Sequence, residues 1–284
     1  MLEILLETII DSLKILPFLF LTYILMEYLE HKMSDKTKKI IKNSGKIGPL
    51  YGAVLGAFPQ CGFSAAASSL YSGRVITIGT LIAIYLSTSD EMLPILISEN
   101  VNILTILAIL GLKVLIGLII GFAIDFIFKK GISKNIEEEI EHMCEDEKCN
   151  CEHDGILKSS IKHTISIIIF IFLASLILNF IIYFVGKENI SNLILNKPIL
   201  GPVISGIVGL IPNCASSVII TQLYLKQLIS FGAMMSGLLV GAGVGILILF
   251  RSNKDIKENL KIICILLFSG IIPGIIIDFI GLWI

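Results

Sequence analysis

Long apolar runs divided by short polar stretches set the pattern of this chain. Residues 4–30, 75–97, 103–128, 160–184, 229–250 and 262–283 each come close to the ~20 apolar residues with which a helix crosses a bilayer. Each run predicts one membrane-crossing helix. The run 75–97 carries a polar insertion, Ser87-Thr88-Ser89-Asp90-Glu91, and the run 103–128 holds one lysine, Lys113. Two more stretches, 48–73 and 201–225, are apolar but studded with Gly, Pro, Ser and amide side chains, which interrupt helices.

Those two stretches are copies of one another. GPLYGAVLGAFPQCGFSAAASSLY begins at Gly48 and GPVISGIVGLIPNCASSVIITQLY at Gly201, and 201 − 48 = 153. At that offset Gly56, Pro59, Cys61, Ser64 and Tyr71 meet Gly209, Pro212, Cys214, Ser217 and Tyr224, and Gln60 meets Asn213. The register continues through Gly79 with Gly232, Gly121 with Gly274, and Asp125-Phe126 with Asp278-Phe279. Chance similarity between apolar segments would pair Leu with Ile, not Gly, Pro, Cys and Asp with themselves. The sequence therefore predicts a duplicated unit with a helix-breaking, polar centre in each copy.

Positive charge near helix ends favours the cytoplasm. If each motif turns back as a hairpin, Arg74, Lys129-Lys130 and the basic loop 251–261 all fall on the side of the basic loop 31–46, with the acidic segment 87–102 opposite. Lys187, Lys197 and Lys226 run against the rule. Three spans plus one hairpin make an odd number of crossings, so the halves face opposite ways. The expected architecture is all-α: a polytopic membrane protein, an inverted repeat of two units, each three transmembrane helices plus one re-entrant helical hairpin. The first unit is 1–130, a cytoplasmic acidic loop is 131–158, and the second unit is 159–284. Hairpin arms of about 11 residues reach half a bilayer, so the tips would meet near the midplane. Broken helices meeting there are characteristic of secondary transporters.

Composition agrees. Of 284 residues, 55% are hydrophobic and 16% charged, far from the balance of a soluble domain. The net charge of −1 gives no field for nucleic acid. The first 30 residues lack a basic leader and a small-residue cleavage site, and so read as a membrane helix rather than a signal peptide.

Candidate chemistry sits at three places. The tips offer Pro59, Gln60, Cys61, Gly62 and Ser64, and Pro212, Asn213, Cys214, Ser216 and Ser217. The prolines end the first arms, and Ser64 or Ser216 caps the second. Exposed N–H groups there suit an anion, and the carbonyl ends of the first arms suit a cation. The bland alternative is close helix packing. The second place is Ser87, Thr88, Ser89, Asp90 and Glu91. A carboxylate inside a membrane helix costs roughly 2.5–3.5 kcal/mol on insertion scales and marks ion or proton pathways; at the interface it is merely solvated. The matching residues of the second copy lie in Gly241–Gly245 and offer only a packing surface. Lys113 pairs with one of the carboxylates across the bundle or snorkels outward. The third place is the loop of His142, Cys144, Cys149, Cys151 and His153, donors for a soft or borderline metal such as zinc or cuprous copper, set against an ordinary acidic loop.

The paired FPQCGFS and IPNCASS motifs, the STSDE run and the Cys/His-bearing middle loop resemble the ten-helix heavy-metal exporters, the arsenic efflux permeases and manganese transporters. The resemblance covers nearly the whole chain. It implies a multi-pass carrier of the cytoplasmic membrane exporting a heavy-metal ion or metalloid such as manganese or arsenite. Manganese prefers oxygen donors, which favours Asp90, Glu91, Gln60 and Asn213; trivalent arsenic prefers the thiols of Cys61 and Cys214.

The rival reading is a carrier of a small organic or sulfur-containing anion bound by helix N-termini. An intramembrane enzyme using Cys61 or Cys214 would need a general base, yet His31, His142, His153 and His163 all lie in or beside loops, so no catalytic residue is expected. No cofactor is expected beyond a metal on the middle loop. The expected partners are the substrate, the lipid bilayer, a coupling proton or ion, and a second copy of the chain; nucleic acid is not among them.

Overall fold

A computed structural model of the chain describes scattered positions between 5 and 24, which are helical, and residues 47–58, 62–89, 92–128, 156–185 and 199–281. No strand occurs among the described residues. The helices are α1 (Gly48–Gly56), α2 (Gly62–Ser72), α3 (Ile78–Ser87), α4 (Met92–Ser98), α5 (Ile103–Phe128), α6 (Ile156–Val185), α7 (Leu200–Gly209), α8 (Cys214–Leu225), α9 (Phe231–Val240), α10 (Gly245–Ser252) and α11 (Ile256–Ile280). The predicted offset reappears in these boundaries. Helices α3 and α9 begin at Ile78 and Phe231, α4 and α10 at Met92 and Gly245, α5 and α11 at Ile103 and Ile256; 231 − 78, 245 − 92 and 256 − 103 are each 153.

The copies also share their chemistry. Thr77 caps α3 by accepting from Thr80 N at 3.1 Å, and its hydroxyl donates to Asp125 Oδ2 at 2.7 Å. Gly79 N donates to Asp125 Oδ1 at 2.8 Å. In the second copy Ser230 caps α9 through Ala233 N at 3.1 Å and donates to Asp278 Oδ2 at 2.6 Å, and Gly232 N donates to Asp278 Oδ1 at 2.8 Å. A helix N-terminus has unsatisfied N–H groups and a partial positive charge, so a carboxylate from the neighbouring helix satisfies both. The same contacts need glycine. A Cβ on Gly79 would strike the carbonyl oxygen of Gly121, and one on Gly232 that of Gly274. The helices thus cross backbone to backbone, as small residues allow in membranes.

Helix α1 packs on α3 and α5, and α7 on α9 and α11 in the same way. The halves then exchange contacts: α2 lies against α10 of the other half, and α8 against α4. Tyr23, in the first predicted span, reaches Ser69 of α2 at 3.4 Å.

Helices α3 and α9 are buried along their length, whereas α5 and α11 turn Leu104, Phe126, Phe268 and Phe279 outward. An apolar surface of that extent belongs against lipid rather than water. Four helical stretches among the described residues, Ile78–Ser98, Ile103–Phe128, Phe231–Ser252 and Ile256–Ile280, are long and apolar enough to cross a bilayer.

Two of these are not continuous. The polar run breaks the first between α3 and α4, as its residues suggested. The second, predicted as one span over 229–250, is also broken, between Val240 and Gly245. Gly241 leaves the helix at ψ 87°, and Gly243 sits at φ 53°, a left-handed conformation that costs glycine nothing. Reading this segment as only a packing surface was therefore incomplete.

Candidate functional site

The interruptions of both copies lie close together. A Cβ on Gly56, at the end of α1, would collide with Ser87 Oγ and lie 2.6 Å from Ile84 O, so α1 ends on the last turn of α3. Gly209, at the end of α7, has the same relation to Gly237 O in the last turn of α9. Across the halves, a Cβ on Gly245 would lie 2.9 Å from Ser64 O, so the start of α10 presses on the first turn of α2. The first arm of each motif therefore ends beside the break of its own half, and the first motif also begins its second arm beside the break of the other.

A buried hydroxyl knot fixes that crossing. Ser68 Oγ stands 2.7 Å from Ser64 O, from Gly245 O and from the Tyr85 hydroxyl. Ser68 has one proton, which serves one of the two carbonyls, so the Tyr85 O–H must donate to Ser68. Tyr85 and Ser68 are wholly buried, where an unmade hydrogen bond would be costly. Neither residue drew attention in the sequence, because a serine in a small-residue helix looks like packing.

At the second tip, Asn213 has extended backbone (φ −149°, ψ 144°), and its side chain caps α8 by accepting from Ala215 N at 2.9 Å. The predicted Ser216 cap gives way to this amide. Ser216 lies inside the first turn and donates back to Asn213 O at 2.8 Å. Asn213 and Ser216 are buried, Pro212 and Ser217 partly so, and the carbonyl of Ser217 accepts from Thr221 Oγ1 at 2.7 Å. At the first tip Gly62 opens α2 and Ser64 is buried within it. Cys214 opens α8. Pro59, Gln60 and Cys61 lie outside the described residues.

At the break of the first half, Ser87, Thr88 and Ser89 are buried and turn their hydroxyls to their own backbone. Ser87 donates to Ala83 O at 2.8 Å, Thr88 to Ile84 O at 2.7 Å and Ser89 to Ser87 O at 3.1 Å. Asp90 and Glu91 lie outside the described residues. Lys113 does not snorkel: it is 1% exposed, and its ammonium donates to Thr88 O and, at 2.8 Å, to Leu238 O of α9. Among the described residues no group of three or more His, Cys, Asp or Glu is placed to hold a metal. The middle-loop donors His142, Cys144, Cys149, Cys151 and His153 lie outside the described residues.

Discontinuous helices buried among apolar, outward-facing ones define an all-helical, multi-pass membrane protein. A family model described as "Putative, 10TM heavy-metal exporter" matches residues 1–186 and 154–282, and the chain belongs to that family. It is a family of membrane transporters rather than a class of enzymes. No curated protein and no solved structure matches the chain.

Proposed function

We propose that the protein is a secondary carrier of the plasma membrane that exports a heavy-metal ion or metalloid, manganese or arsenite being the leading cases. The substrate is held where the two motif turns meet the two helix breaks. The supporting observation is the doubled set of interruptions, with Gly56 on Ser87, Gly209 on Gly237 and Ser64 on Gly245. Irregular backbone at membrane depth is tolerated where it is packed in protein or lines a watery cavity, and half-helix ends there coordinate ions.

An inverted arrangement of the halves suits alternating access, and two contacts support it. Lys261, near the start of α11, lies 4.1 Å from the centre of the Phe128 ring at the end of α5, as opposite directions for these equivalent helices would bring about. Arg74, just before α3, meets Glu258 near the start of α11, whereas Ser230, just before α9, meets Asp278 near its end. Along α11 those two points are 20 residues apart, or about 30 Å at 1.5 Å per residue. The return of α2 toward the start of α3 supports a hairpin. Gly48 of α1, Leu70 of α2 and Thr77 before α3 line one cavity of about 240 Å³, while Gly56 lies at the far end of α3.

Asn213 oxygen and the serine and threonine oxygens of the break favour a hard cation, while Cys61 and Cys214 supply the soft donors that arsenite requires. The test is a metal and metalloid sensitivity screen of cells lacking and cells overproducing the protein. Overproduction should raise tolerance to, and lower cellular content of, one member of the panel. Equal content of every metal and metalloid in both strains would count against export.

A further inference from the structure

Lys113 is a buried charge at the centre that breaks the repeat. At the 153 offset its counterpart is Leu266, itself wholly buried. A lysine at membrane depth is costly, so its place has to be compensated by good acceptors. Two of them are backbone carbonyls. Thr88 is the residue that ends α3, and Leu238 lies in the last turn of α9, three residues before its cap Gly241. The last carbonyls of a helix have no intrahelical donor and carry the negative end of its dipole. Two such ends converge on one ammonium, one from each half of the molecule. Unwound carbonyls and half-helix C-termini are also what carriers use to coordinate a small monovalent cation.

We propose that the Lys113 ammonium is the permanent occupant of a monovalent-cation site built from the carbonyl ends of α3 and α9, so that no alkali-metal ion binds there until the ammonium is removed. This deepens the carrier reading, and its consequence for transport rests on that reading: the carrier works without a sodium ion between the two breaks. The site itself is read without any substrate.

The test is a thermal melt of the purified full-length protein in detergent, in sodium, lithium, potassium or choline chloride at equal ionic strength. Wild-type protein should melt at one temperature in all four salts. Lys113→Ala should melt lower in choline chloride and regain about 3 °C or more in sodium or lithium chloride, because a cation that binds only the folded site stabilises it. Lys113→Gln fills most of the space without the charge and is compared in the same salts, so a poorly folding alanine variant does not end the test. Melting of the folded variants that is identical in sodium and choline would overturn the proposal. So would a sodium-induced rise in wild type as large as that in the variants. If wild-type flux is absent but the melts behave as stated, the carrier reading fails and the cation site stands.

Discussion

Arg74 and Glu258 form an ion pair at 2.7 Å that joins the two halves of the molecule at one end. The second Glu258 oxygen accepts from the Tyr71 hydroxyl at 3.0 Å, Asn253 Nδ2 donates to the pair at 3.1 Å, and the Arg74 guanidinium lies 5.3 Å from the centre of the Tyr71 ring. The equivalent positions in the other copy are Gln227 and Thr105, which cannot form an ion pair. Both Arg74 and Gln227 keep a left-handed backbone, at φ 56° and 57°. The duplication thus preserved the turn but placed the charged latch at one end only.

Because Glu258 also serves Tyr71 and Asn253, the pair should count for more than an isolated surface ion pair. A double-mutant cycle with Arg74→Gln and Glu258→Gln, read by thermal or denaturant unfolding in detergent, should give a coupling of about 1 kcal/mol in low salt, shrinking as salt is raised. Purely additive losses at low salt would show that the two side chains are not energetically joined.

Asp125 and Asp278 make matching bonds, so their loss should cost matching amounts. Asp125→Ala and Asp278→Ala should each destabilise by about 1.5–3 kcal/mol, the range for hydrogen bonds to a charged group. Thr77→Ala and Ser230→Ala should each cost about 1 kcal/mol as lost N-caps. Melting curves of the four variants check this. A loss confined to one half would mean that the shared geometry does not carry shared energetics.

Gly79→Ala and Gly232→Ala force a methyl group into a backbone carbonyl of the neighbouring helix, and each should cost about 1–3 kcal/mol as overpacking. Gly111 is the control. A Cβ there meets nothing within 4 Å, and Gly111→Ala should be neutral or stabilising by up to about 1 kcal/mol through helix propensity. Monodisperse yield and melting temperature after purification separate the two classes.

How much of this was legible beforehand depends on where each partner sits. The duplication was legible because its signals are residues with fixed backbone or pairing needs. Gly79 and Asp125 recur as Gly232 and Asp278 for the reason the hydrogen bonds now make plain. The break between α3 and α4 was legible because it is polar. Its counterpart was not, because Gly241-Ala242-Gly243-Val244 carries no charge and breaks the helix by backbone freedom alone; carrying Thr88–Glu91 across the repeat would have found it. The cap of α8 was assigned to Ser216, yet Asn213 reaches the N–H two residues on, a contact that an amide makes as readily as a hydroxyl. The carbonyl partners of Lys113 were out of reach. These two main-chain oxygens lie 25 and 125 residues away in the chain, and no side-chain pattern reports them.

The account turns on whether substrate passes between the two motif turns. The most direct measurement is uptake of manganese and of arsenite into proteoliposomes holding the wild-type protein, the variant Cys61→Ser with Cys214→Ser, and the variant Asn213→Ala. The account predicts flux of one substrate in wild type. For arsenite, flux should fall at least about tenfold in the thiol variant, a loss of about 1.4 kcal/mol in transition-state stabilisation. For manganese, it should fall by the same factor in Asn213→Ala. Wild-type flux that both variants leave unchanged, in protein that melts normally, would contradict the placement of the substrate between the turns.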